Sequence, residues 1–261
     1  MRSPLFLVST ALAGLLLAGV AQAEPNITGV YAPITSGPDG QPLARAPASF
    51  TPAAKAATAA TAKLNTANHR IISENRTFCL PTGMPTMMTT PFGIEFLQTK
   101  GRVTILSELN AIPRTIYLDE KTQPDGVVPG WNGHSIGHWE GDTLLVDTVG
   151  FNGRNQNISE KMHITEKIYL DKKSGDLVDE MVLDDPNIYA QPYHITNRYR
   201  RAVGQEANEL QEYACEVDPN NLFAYLAEQK AAGRPTDFNP SWAAANYNDP
   251  ASVAAAEAKA K

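Results

Sequence analysis

His134-Ser-Ile-Gly-His-Trp-Glu140 and Thr143-Leu-Leu-Val-Asp-Thr-Val149, joined by Gly141-Asp142, decide the fold. Each half is short and rich in β-branched and aromatic residues. The join is a glycine-containing turn of hairpin size. Two strands folded back on each other are the expectation, over 134–140 and 143–149. The same grammar repeats on both sides. Further strands are predicted near 26–31, 92–98, 102–109, 113–119, 159–170, 176–184, 192–201 and 209–216. Lys100-Gly101, Pro124-Asp125-Gly126, Ser174-Gly175-Asp176 and Asp185-Pro186-Asn187 separate several of them.

No helical pattern of 10–15 residues lies between these strands, which excludes a parallel α/β fold. Sequential antiparallel strands leave two open sheet edges, and closure into a barrel removes both. The predicted fold is therefore all-β and mainly antiparallel, an up-and-down barrel with peripheral helices. A sandwich is the second choice. The chain divides into a signal at 1–23 and an N-terminal strand, surface helix and Pro/Gly-rich connector at 24–91. The barrel proper follows at 92–216, then a helix and Ala-rich tail at 217–261. The helix is expected over Ala53–Leu64, with almost no apolar face. The density of Pro and Gly at 78–91 argues against any regular element there.

The 261 residues are 43% hydrophobic and 19% charged, with a net charge of -6. This balance is globular, and it excludes a basic nucleic-acid-binding module and a polytopic membrane protein. Arg2, the apolar run Leu5–Val20 and Ala21-Gln22-Ala23 read as a secretory signal, with cleavage before Glu24. The alternative, a membrane anchor, lacks a basic stop-transfer cluster. A periplasmic or secreted protein, without a membrane span in its mature chain, is expected. Two cysteines, Cys79 and Cys215, remain after the signal. In an exported chain the even count favours one disulfide, against two buried thiols.

Alternation along each strand assigns faces. Arg114 shares parity with Ile116, and Glu160 and Glu166 with Ile164 and Ile168. Asp179 goes with Leu177 and Met181, Asn197 with Ile195 and Tyr193, and Glu212 with Leu210. A purely structural core would not carry so many polar groups. One arginine cannot neutralise four carboxylates, so some would be protonated if buried. A hydrated or ligand-filled cavity meets this need. Glu166, Asp179, Asn197, Glu212, Tyr193, Trp139 and His163 are the candidate ligand-binding residues.

For catalysis the candidates are His134 or Glu160 as base, Arg114 and Tyr117 as donors to an oxyanion, and Asp147 as partner of His134. A structural histidine bonded to a carboxylate inside the sheet is the favoured account of the last pair. No G-x-S-x-G or H-E-x-x-H occurs, and His134, His138 and His163 carry no ligand spacing, so neither a serine nucleophile nor a metal is expected. No cofactor is implied. The first functional reading is an exported barrel holding a small, partly apolar molecule in an internal cavity. The second is a cofactor-independent lyase, isomerase or cyclase using the same cavity. The third is a structural envelope protein.

Several stretches have a familiar look: Gly29-Val30-Tyr31, Cys79-Leu80-Pro81-Thr82-Gly83-Met84-Pro85, Gly133–Asn152, Leu183-Asp184-Asp185-Pro186 and Leu210–Glu216. Together they resemble a family of exported bacterial proteins to which no reaction is attached. Gly29-Val30-Tyr31 is also similar to the Gly-x-Trp motif on the first strand of calycins, the lipocalin-like barrels, with Tyr for Trp. That resemblance implies a cup-shaped barrel with a small-molecule cavity. It also implies a late cationic side chain, Arg198 or Arg200, packed on the aromatic ring.

Overall fold

The computed structural model describes residues 24–67, 79–155, 157–207 and 209–215, with positions 227, 230 and 231. The expected signal at 1–23 and nearly all of the expected C-terminal helix and tail lie outside the described residues. Strand β1 spans Gly29–Pro33, helix α1 Pro52–Ala67 and the short helix α2 Thr86–Thr89. The remaining strands are β2 (Ile94–Thr99), β3 (Arg102–Ser107), β4 (Asn110–Tyr117), β5 (His134–Glu140) and β6 (Thr143–Val149). They continue as β7 (His163–Leu170), β8 (Leu177–Asp184) and β9 (Tyr193–Arg201).

The strands close into one barrel in sequence order, with β1 pairing both β2 and β9. The fold is the calycin-like all-β barrel expected, with one departure from simple up-and-down alternation. Nine strands cannot alternate in direction all the way round a ring, because the count is odd. At least one neighbouring pair must run parallel, and β4–β5 is that pair, held by Ile116↔Ser135 and Tyr117↔Ile136. A parallel neighbour requires a long return connection. Residues 118–133 provide it along the outer wall, where Glu120 meets His134 and Gln123 meets Asp147.

Turn chemistry sets the register elsewhere. Gly141, at φ 59°, and Gly101, at φ 83°, supply the left-handed conformation needed by the β5–β6 and β2–β3 hairpins. The β5 and β6 boundaries match those expected from sequence. Four expectations require correction. No strand forms at 209–215, because β1 occupies the edge of β9 that this segment would need. The Pro/Gly-rich connector carries α2, with Met87 and Met88 buried. Helix α1 is also less superficial than its composition suggests, since Ala54 and Ala57 are buried. The N-terminal strand, expected at 26–31 with the connector, forms at 29–33 as a full member of the barrel.

Inward side chains of successive strands fill the interior. Phe96, Ile105, Ile116, Leu144, Ile164 and Ile168 are all fully buried. Tyr31 packs edge-on against Phe96 at 5.8 Å between centroids. Arg201 lies 4.8 Å over the Tyr31 ring, donates to the Tyr31 hydroxyl at 2.6 Å and to the Thr28 carbonyl at 2.6 Å. A cation thus covers the Tyr31 ring, but it is Arg201 and not the expected Arg198 or Arg200. The register Tyr31↔Arg201 places that residue on the ring, whereas Arg198 and Arg200 pair with Asp171 and Asp176.

At the end where β2 and β5 begin, segment 82–90 folds across the barrel. The Met84 amide donates to the Trp131 carbonyl at 3.1 Å, and the Asn155 amide donates to the Thr82 carbonyl. All five methionines among the described residues, Met84, Met87, Met88, Met162 and Met181, are buried in the core. Residues 209–215 return along the outside of the barrel. The Gln211 amide donates to Glu108 at 2.9 Å, and Tyr213 packs on Phe92. Cys215 then forms a disulfide with Cys79, with Cα atoms 5.7 Å apart.

Candidate functional site

Six consecutive strands, β4 to β9, each turn one polar side chain inward. These are Arg114, Ser135, Thr148, Glu166, Asp179 and Asn197, none more than 5% exposed. Alternation explains the arrangement, since each shares its face with apolar neighbours such as Ile116, Val146, Ile168 and Met181. The result is a polar belt inside an apolar barrel.

Arg114 organises half of the belt. Its guanidinium forms a two-pronged ion pair with Glu166, one prong at 2.8 Å. It also donates to Ser135 at 3.1 Å and to Thr148 at 3.1 Å, and those hydroxyls bond to each other at 2.9 Å. Burial disfavours the charged guanidinium, but the Glu166 carboxylate outweighs it and holds Arg114 above its ordinary value. Arg114 and Glu166 therefore balance one another.

Asp179 has no such counter-ion of its own. Its Oδ2 accepts the Asn197 side-chain amide at 3.2 Å, and the Asn197 Oδ1 accepts Arg45 at 3.0 Å. Its Oδ1 has no hydrogen-bond partner among the described residues. Burial, then the neighbouring Glu166 charge, push the Asp179 carboxyl well above the usual carboxylate range. Tyr199, on the same inward face of β9, is also pushed up by burial and by Asp179. Its hydroxyl donates to the Met88 carbonyl, joining the belt to the methionine-rich end.

The Asp179 shift has a sign that stability measurements can read. Its folded value lies above its unfolded value of 3.8. The folded chain then binds a proton that the unfolded chain releases, so stability falls as pH rises from near 4 through the folded value. Urea midpoints of the wild type should decline over that range relative to those of Asp179→Asn, which has no proton to lose. Parallel profiles for the two proteins would contradict a protonated Asp179.

Other residues singled out from sequence lie elsewhere. Glu160 precedes β7 and is exposed, because Ser159 is turned into a tight bend by hydrogen bonds of 2.6 and 2.9 Å to Asp185. Glu212 lies in the irregular outer segment and is exposed. His134, Tyr117, Asp147 and His163 have the opposite parity to the belt and occupy the outer wall. His134 bonds to Glu120 at 2.8 Å and stacks on Tyr117, with ring centroids 5.0 Å apart. Asp147 bonds to His163 at 2.5 Å and to Gln123 at 2.7 Å, so the expected His134–Asp147 pairing is replaced by two other pairs. The candidate base and the donor Arg114 sit on opposite faces of the sheet and do not converge. Tyr193 stacks with Tyr189, which stacks with Phe50, beside the interior. Trp139 packs against the core with its Nε1 unpartnered among the described residues.

No protein-family model and no curated protein matches the chain.

Ser135 and Thr148 completed the belt without having been assigned a place in it, although their strand parity marks them. Arg45 comes from the irregular stretch before α1, where no periodicity signals its reach. Among the described residues no group of three His, Cys, Asp or Glu side chains is placed to hold a metal ion, and no helix is long and apolar enough to cross a membrane.

Proposed function

We propose that this chain is an exported barrel that binds a small, partly apolar molecule in its interior, at the polar belt. The observation that carries the reading is Asp179. A fully buried carboxyl with an unpartnered oxygen is costly. Buried ionic groups contribute little to stability compared with well-packed apolar residues, so a purely structural barrel gains little from the belt. The five buried methionines supply walls that can repack around a guest, because thioether side chains are unbranched and flexible. The disulfide is compatible with export.

The acid–base alternative would need a base and a donor on one face. Here the expected base His134 and the expected donor Arg114 are separated by the sheet, so that pairing gives the alternative no support. The test is to isolate the protein from its native envelope fraction, wash it under folding conditions, denature it and analyse the released small molecules. A single partly apolar compound in near-equimolar yield is expected. Recovery of none, or of the same compounds at the same yield from an Arg114→Met/Glu166→Met variant, would remove the reading.

A further inference from the structure

Resting on the interior-binding reading, we propose that the guest is a neutral, largely apolar molecule bearing a carbonyl or ether oxygen, and that the Asp179 carboxyl donates a hydrogen bond to that oxygen. Within the belt the formal charges are those of Arg114, Glu166 and Asp179. The first two are spent on each other in the two-pronged pair. An ionised Asp179 would leave two carboxylates sharing one guanidinium in a place without water contact, which is strongly unfavourable. Arg45 does not neutralise Asp179 directly, because it is an exposed residue whose hydrogen bond goes to the Asn197 oxygen.

Asp179 is therefore best accommodated as the neutral acid. In that form it has one acceptor oxygen and one O–H. Oδ2 receives the Asn197 amide, which leaves the Oδ1 side as donor with no acceptor facing it. The oxygens around it are engaged elsewhere: the Glu166 oxygens accept from Arg114, the Asn197 oxygen accepts from Arg45, and the Tyr199 hydroxyl donates to the Met88 carbonyl. Among the described residues none of them meets Oδ1 in hydrogen-bond geometry. A guest oxygen would complete this set. A guest carboxylate is disfavoured, since the belt has no uncommitted cation. A guest ammonium is disfavoured because its counter-ion would have to be an ionised Asp179 beside Glu166. Met181 lies two residues along the same inward face of β8, and the buried Met88 meets the belt through Tyr199, so adaptable apolar side chains are available to a guest there.

Three probes of one size separate these cases: acetophenone, ethylbenzene and 1-phenylethylammonium. They carry an acceptor oxygen, no polar atom and a cationic donor, respectively. Binding is read from the methionine methyl resonances in 1H–13C spectra, where all five core methionines report on the interior. Acetophenone is expected to shift Met181 and Met88 and to bind about tenfold more tightly than ethylbenzene, the usual scale for satisfying one buried polar group. Asp179→Asn, whose amide still donates, should retain that preference, and Asp179→Leu should abolish it. The folded methionine spectrum of each variant establishes that it is assembled before binding is scored. Equal binding of the ketone and the hydrocarbon, or tighter binding of the ammonium, would overturn the assignment of a neutral acceptor while leaving interior binding intact. Failure of all three probes to perturb any core methionine would overturn both.

Discussion

Arg114→Met is expected to destabilise the barrel by about 3–5 kcal/mol, because it strands a buried carboxylate. Glu166 is 2% exposed, and its two oxygens take their partners from one guanidinium. The same substitution removes the donors to Ser135 and Thr148. It also leaves the Glu166 charge unopposed beside the Asp179 carboxyl. The loss therefore spreads across strands β4 to β8. A methionine at 114 fills much of the arginine volume, which limits the part of the effect due to a cavity. Arg114→Met/Glu166→Met should recover most of the lost stability, since it removes both charges together. Urea unfolding of the two variants and the wild type measures each step. A double variant as unstable as the single one would mean that packing, and not the unpaired charge, dominates.

The second large effect is expected at the disulfide. Cys79 and Cys215 are 136 residues apart, and a bond closing so long a loop stabilises by about 4–5 kcal/mol in the chain-entropy account. Cys79→Ser/Cys215→Ser should lower stability by that order. The bond also anchors the outer segment 209–215, whose remaining described ties include the Gln211–Glu108 hydrogen bond and the Tyr213–Phe92 contact. Hydrogen exchange in 209–215 should accelerate more than exchange in β6 or β7. Thermal unfolding with and without a reductant gives the overall change. A loss below about 1 kcal/mol would show that the oxidised unfolded chain is not appreciably more constrained than the reduced one.

Much of this architecture is written in two-residue periodicity. Arg114, Glu166, Asp179 and Asn197 were readable as inward because each lies within a strand whose apolar residues define a face. Glu160 obeyed the same count, but its strand begins later, at His163, once the Ser159–Asp185 bend is complete. Alternation has no meaning outside the ladder, so its parity carried no information. Glu212 failed for a different reason. Whether a β-prone segment becomes a strand depends on finding a free edge, and β1 had taken the edge beside β9. The outer-wall pairs His134–Glu120 and Asp147–His163 depend on how residues 118–133 drape over β5 and β6. That path follows from the parallel β4–β5 seam, a property of the whole ring that no local window contains. The cation over Tyr31 is Arg201 and neither Arg198 nor Arg200, because the register between β1 and β9 sets Arg201 opposite Tyr31.

The position of β1 has a consequence for assembly. The disulfide encloses everything from Cys79 to Cys215, which includes β2 through β9 but not β1. Of the barrel strands in the described residues, β1 is synthesised first, yet both of its neighbours, β2 and β9, lie downstream, and β9 is made last. The earliest strand is thus the keystone of the ring. Until Arg201 has been made, β1 lacks its second edge and the cation that covers Tyr31. Closure cannot follow the order of synthesis, and it depends on joining the two most distant strands of the barrel, a slow step for a chain dominated by non-local contacts. A chain of this design must keep its first strand unpaired on one side until its last is complete.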